Sequence, residues 1–157
     1  MTLKQELNLR KGFDLLEHEA VLNIYFTATL LKKQADVFFK TLGLTDVQFN
    51  VLMLLHYQTE DNEGLSQAQL GMMMLVNRAN ITTLIDRMEK ANLVIRTSIS
   101  KDRRTNIIKL TANGKKLFAK AELLYIQQVK QMMSELNKTE QKNLIAVLER
   151  VRVNVKT

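Results

Sequence analysis

Between Ile81 and Leu110 the hydrophobic period changes, and that change constrains the fold more than any other feature of the chain. Ile81, Leu84, Ile85 and Met88 recur at i, i+3, i+4, i+7, the stripe of a helix running from about Asn77 to Ala91. Leu93-Val94-Ile95-Arg96-Thr97 and Asn106-Ile107-Ile108-Lys109-Leu110 are then short β-branched runs, the signature of strands. The polar segment 98–105 between them reads as a long, basic hairpin tip. Asn92 stands where the helix must stop, and asparagine tolerates the left-handed cap better than any residue except glycine.

Upstream, Ser66 and Gln69 have the spacing of a capping box and open a short helix through Met72 and Met73. Thr45 and Gln48 open another, with Val47, Val51, Leu54 and Leu55 as its expected core face. From Gly12 to Gly43 nothing breaks a helix: Asp14 and Glu17 fit a capping box and Gly43 a stop. A helix of about 28 residues is about 42 Å long, too long for the interior of a small domain, so it is expected to pack on another chain. After Thr111 the pattern is helical again through Leu117, Ala121, Leu124, Gln128 and Met132. Thr139 is the expected cap of a last helix carrying Leu144, Val147, Leu148 and Val151. The 157 residues, free of proline and of any linker, form one domain. Segment 45–111 is expected to be its winged lobe, and segments 14–42 and 112–155 are expected to form a helical dimerisation region. The fold class is mainly α with a small β-wing: a winged helix-turn-helix plus dimerisation helices.

Charge agrees with this division. Residues 1–65 carry six Lys/Arg and nine Asp/Glu; residues 66–116 carry ten against three, a local +7. Such local basicity is the footprint of a polyanion partner, with double-stranded DNA the candidate, although a solvated basic face with no partner gives the same count. The second helix of the pair turns Arg78, Asn80, Thr82, Thr83 and Arg87 outward, residue types that pair with base edges and phosphates in a major groove. In the hairpin, Lys101-Asp102-Arg103-Arg104 sets three cations around one acid. Arginine suits a narrow minor groove, and Asp102 belongs there as a carboxylate that fixes the direction of an arginine. Residues 66–116 contain no Phe, Tyr or Trp, which argues against single-stranded RNA, whose bases need aromatic platforms.

These residues carry a family resemblance. The stretch from Val76-Asn77-Arg78 through Asp86-Arg87-Met88-Glu89 to Val94-Ile95-Arg96 resembles the recognition-helix-to-wing passage of the MarR family of bacterial transcriptional regulators. Asp102-x-Arg104, Lys109-Leu110-Thr111, Gly114, Leu44-Thr45-x-x-Gln48 and the step from Leu65-Ser66 to Leu70 match as well. The resemblance implies a homodimer on a palindromic operator, a repressor more than an activator, with Arg104 in the minor groove and Asp102 orienting it. It further implies a ligand pocket between the dimer helices and the DNA-binding lobe, and release from DNA by a small molecule. Asn92 departs from the family's usual glycine, and the absence of cysteine puts a thiol switch out of reach.

Tyr25, Phe49 and His56 are the candidate pocket residues, fitted to a small aromatic effector. Phe38 and Phe39 read instead as dimer core. His18 and His56 have no partners at zinc-ligand spacing, so no metal and no cofactor is expected. No phosphate loop, nucleophile elbow or carboxylate pair points to an enzyme. The methionines at 72–74 read as core filler. No apolar run is long enough for a membrane span and no signal core opens the chain, so a cytoplasmic location is the expectation. The competing class is a ligand- or protein-binding module that keeps the winged-helix scaffold without reading DNA. It would want a neutral or acidic outer face on the second helix.

Overall fold

The computed structural model describes residues 1–61, 63–74, 78–99 and 102–155, and the side chains of Arg78, Ile99 and residues 102–105 lie outside that description. In chain order the elements are α1 (Leu3–Glu6), α2 (Leu16–Thr41), α3 (Asp46–Tyr57), β1 (Leu65–Ser66), α4 (Gln67–Met73), α5 (Arg78–Lys90), β2 (Val94–Ile99), β3 (Asp102–Leu110), α6 (Ala112–Met132) and α7 (Lys138–Val155). The strands form an antiparallel sheet in the order β1-β3-β2. The fold is therefore mostly helical with a small wing, as the change of period requires.

Local chemistry sets most boundaries. Thr45 and Ser66 close capping boxes with Gln48 and Gln69. α2 and α5 end alike: Gly43 (φ 69°) and Asn92 (φ 54°) turn left-handed. The next amides, of Leu44 and Leu93, bond back to the carbonyls of Phe39 (3.0 Å) and Met88 (2.9 Å). This is a Schellman closure, with its apolar residue buried in both cases.

Several expectations need correction. α2 has 26 residues and begins at Leu16, with Leu15 as a cap that makes no side-chain bond, so Glu17 is only its second residue and Asp14 does not cap it. α7 is capped by Asn137, whose Oδ1 accepts from the amide of Glu140 (3.0 Å) while Glu140 accepts from the Asn137 amide (2.7 Å); Thr139 is already inside the helix. Val47 is exposed, and the core face of α3 is Phe49, Val51, Leu52 and Leu55. Met72 and Met73 are exposed (70% and 45%) and fill no core. The short α1, opened by a Thr2–Gln5 capping box, was not foreseen, nor was β1, which pairs Leu65 with Ile108.

The core joins α3, α4, α5, the sheet and α6 through Leu52, Leu55, Leu70, Ile81, Ile85, Met88, Val94, Ile108 and Phe118. α7 buries none of its residues. Along α2, α6 and α7 large apolar side chains stand exposed, among them Leu16, Val21, Ile24, Leu123, Ile126, Leu144, Ile145, Val147 and Val151. Among the described residues no helix is long and apolar enough to cross a membrane.

Candidate nucleic-acid interface

α5 is an amphipathic helix held on three sides. Its inner stripe is complete, with Ile81, Ile85 and Met88 at most 1% exposed and Leu84 half-buried. Its outer face carries Asn80, Thr82, Thr83 and Arg87, all exposed, together with Ala79 and Lys90. Arg78 is the first residue of the helix, with its side chain outside the described part. The Thr83 hydroxyl donates to the Ala79 carbonyl one turn earlier (3.2 Å).

A side of α5 is tied to the wing by a residue that charge counting alone treats as one more cation. Arg96, on β2, donates from Nη1 to Glu89 and from Nη2 to Asp86, both at 2.5 Å. Its backbone N–H donates to the second oxygen of Glu89 (3.1 Å). The arginine is 21% exposed, so these charge-assisted bonds are partly shielded from water. Two of the three acids in the basic third are thereby turned onto one internal arginine, and the exposed Arg87 and Lys90 of α5 face solvent without them. The sequence held a signal for this clamp in the i, i+3 spacing of Asp86 and Glu89. Only the turn at Asn92 decides which strand residue meets them.

The C-terminus of α5 is knotted to α6. The Thr111 hydroxyl donates to the Asn92 carbonyl (2.7 Å) and accepts the Gly114 amide (2.9 Å), and the Thr111 amide donates to Leu93 (3.1 Å). Gly114 lies so close to β2 that a Cβ there would be 2.0 Å from the Leu93 carbonyl oxygen.

The wing is longer in strand and shorter in tip than the sequence implied. β2 runs to Ile99 and β3 starts at Asp102, and the pairing steps from Ser98↔Asn106 to Ile99↔Asp102, so residues 103–105 are taken up in an irregularity of β3. Asp102, Arg103 and Arg104 thus sit on a strand, with side chains outside the described part, and Lys101 lies outside it altogether.

The three candidate pocket residues are placed apart in character. Phe49 is 1% exposed, within ring contact of Phe39 (4.5 Å), Tyr125 (4.9 Å) and Phe118 (5.6 Å). His56 is exposed and lies against Phe118 (4.8 Å) and Tyr57 (4.7 Å). Tyr25 is 69% exposed and makes no ring contact among the described residues. Phe39, 3% exposed, is buried within one chain against Tyr125 (5.7 Å), and the half-buried Phe38 lies 6.4 Å from the same ring. Phe118 and Tyr125 escaped sequence reasoning because α6 reaches this cluster only through the tertiary fold. A cleft of about 630 Å³ opens instead between α2 and α6, lined by Lys33, Gln34, Val37, Phe38, Gln128, Gln131 and Met132.

Two polar ties join the long helices to the lobe. Lys32 of α2 bonds Asp46 at the start of α3 (2.8 Å) and Asp36 (2.9 Å), and the bond to Asp46 above all raises its pKa. Tyr57 donates to Glu122 of α6, which raises the phenol's pKa in turn. His18 lies edge-on to Phe13 (6.1 Å), and among the described residues no three His or acidic groups converge as metal ligands would.

Comparison with known proteins places this geometry. Residues 44–105 match the model of the MarR family. Over 86 residues the chain is 37% identical to the HTH-type transcriptional regulator SarZ of Staphylococcus epidermidis, covering 55% of each protein. The chain spans only 55–64% of the length of the first curated relatives it matches. Among solved structures it is similar to AbsC, a MarR family transcriptional regulator from Streptomyces coelicolor, with TM-score 0.82 at 20% identity, covering 93% of this chain and 99% of that one. It is also similar to MepR of S. aureus in complex with DNA, with TM-score 0.75 at 20% identity, covering 84% and 93%. At these identities the likeness to solved structures establishes the fold.

Proposed function

We propose that this chain, whose residues 44–105 match the MarR family model, is a transcriptional regulator of that family binding duplex DNA as a homodimer. The observation that carries the proposal is α5: buried on one side, clamped to the wing by Arg96, and presenting Asn80, Thr82, Thr83 and Arg87 to solvent. A helix so held offers a fixed set of base-reading side chains to a major groove, which its radius fits. Arg78 joins them from the helix start. Arg103 and Arg104 of the wing serve the flanking minor groove, with Asp102 directing Arg104. MepR, a similar fold, is described in complex with DNA.

The dimer follows from the exposed apolar faces of α2, α6 and α7. An 18-residue helix with no fully buried residue has little packing within its own chain to stabilise it, so α7 needs a partner surface. Two-fold symmetry makes the operator palindromic, and repression by occupying that operator is the mode of regulation proposed. A small aromatic effector fits the cleft between α2 and α6, whose volume lies in the range of small-molecule sites. Bound there, against Phe38, it bears on the orientation of the dimer helices relative to the lobe.

The test is a mobility-shift titration on duplexes enriched from a random pool, repeated at two salt concentrations. Arg104→Ala is expected to weaken binding by about 1–3 kcal/mol. Affinity of the parent chain is expected to fall by about 10³–10⁵ between 50 and 200 mM salt if the dimer makes about 6–10 phosphate contacts. Unchanged affinity on losing Arg104 would remove the wing from the interface, and a flat salt response would exclude DNA as the partner.

A further inference from the structure

We propose that Thr83, with Ala79 one turn before it, recognises thymine through methyl contact, so that α5 selects a T in each half-site without a hydrogen bond to it. This rests on the duplex-reading role of α5 proposed above.

Thr83 lies opposite the buried line Ile81–Ile85–Met88, on the part of the helix furthest from the core. A threonine hydroxyl has one proton, and here it is given to the Ala79 carbonyl at 3.2 Å. In this state Thr83 has no donor left for a phosphate oxygen, which only accepts. Nor has it one for the acceptors of the major groove, guanine O6 and N7, adenine N7 and thymine O4. What it still presents is a methyl group and an oxygen lone pair. Its neighbour along the same line is Ala79, exposed and carrying nothing but a methyl. The two are four residues apart, about 6 Å along the axis, with Arg87 the same distance further on. The lone pair can accept only from the amino groups of adenine or cytosine, whereas the two methyl carriers in a row match the 5-methyl of thymine, which apolar groups read.

The test uses the full chain and duplexes it enriches from a random pool. Each thymine is replaced singly by deoxyuridine, which removes the 5-methyl and nothing else. One thymine per half-site is expected to lose about four-fold in affinity on this replacement, the value of one buried methyl. Thr83→Val, which keeps the methyl and loses the hydroxyl, is expected to retain that discrimination. Thr83→Ser, which keeps the hydroxyl and loses the methyl, is expected to bind the thymine and deoxyuridine duplexes alike. Thermal unfolding of both variants, at exposed positions, is expected to match the parent. Enriched duplexes indifferent to every deoxyuridine replacement would overturn the methyl contact while leaving DNA binding standing. Discrimination kept by Thr83→Ser and lost by Thr83→Val would assign the reading to the hydroxyl and overturn it too. A pool from which nothing is enriched would instead overturn the duplex-reading role itself, and this inference with it.

Discussion

Replacing Leu144 and Val151 together by Asp is expected to leave a folded monomer of 18.1 kDa and to weaken operator binding by about 10²–10⁴. Both side chains lie on α7, exposed by 41% and 37%, on one stripe with Val147 and the half-buried Leu148. Within one chain α7 is fastened mainly near its start, where Gln141 donates to the Leu136 carbonyl (2.8 Å). Charge on this stripe therefore removes no intrachain core contact, and the lobe is expected to keep its secondary structure. It does oppose any second copy, because a carboxylate buried in an apolar interface has no compensating partner. Light scattering after size-exclusion chromatography reads the mass, and a mobility shift reads the loss of affinity. The affinity falls because the second recognition helix is no longer tethered beside its half-site. A variant that stays dimeric would move the interface off α7. A monomer with undiminished affinity would mean that one copy suffices.

Gly114→Ala is expected to destabilise the protein by about 3 kcal/mol, although alanine is the better helix former by about 1 kcal/mol. The sign is decided by space. The added Cβ would stand 2.0 Å from the Leu93 carbonyl oxygen and 3.0 Å from its carbon, and both are backbone atoms. That carbonyl cannot swing away, since it accepts the Thr111 amide and follows directly on the Asn92 cap of α5. Relief requires α6 to move off β2, loosening the knot that fixes the end of α5. For a chain of 157 residues the loss corresponds to about 6–12 °C in Tm. A Tm equal to or above that of the parent would show that α6 and β2 separate freely, contrary to this packing.

The parts of this protein that the sequence announces are those governed by local chemistry. The stripe Ile81–Ile85–Met88, the left-handed Asn92, and the capping boxes at Thr45 and Ser66 each involve residues within seven positions of one another, and the structure contains them all. The hairpin's existence was equally legible from its β-branched runs, but its length was not: the pairing irregularity at 103–105 has no signature in side-chain period. Non-local packing accounts for the remaining differences. Phe49 looks available for a ligand until Phe118 and Tyr125, some 70 residues later, close over it. Arg96 counts toward the basic surface until the fold sets it against Asp86 and Glu89. The two-residue β1 is too short to leave a pattern, and forms because Leu65 finds Ile108. The outward residues of α5 were identified by subtraction from the inward stripe. The Thr83–Ala79 bond, which sets what Thr83 has left to offer, becomes visible only with coordinates.

Hydroxyl-radical footprinting of the chain on an enriched duplex tests the central claim most directly. Two copies of α5 in successive major grooves, with wings in the flanking minor grooves, predict protected windows related by two-fold symmetry, their centres 10–10.5 base pairs or a multiple apart. In the Arg104→Ala variant the outer windows are expected to fade while the inner ones persist. A single asymmetric window, or protection spread evenly along the duplex regardless of sequence, would contradict the account.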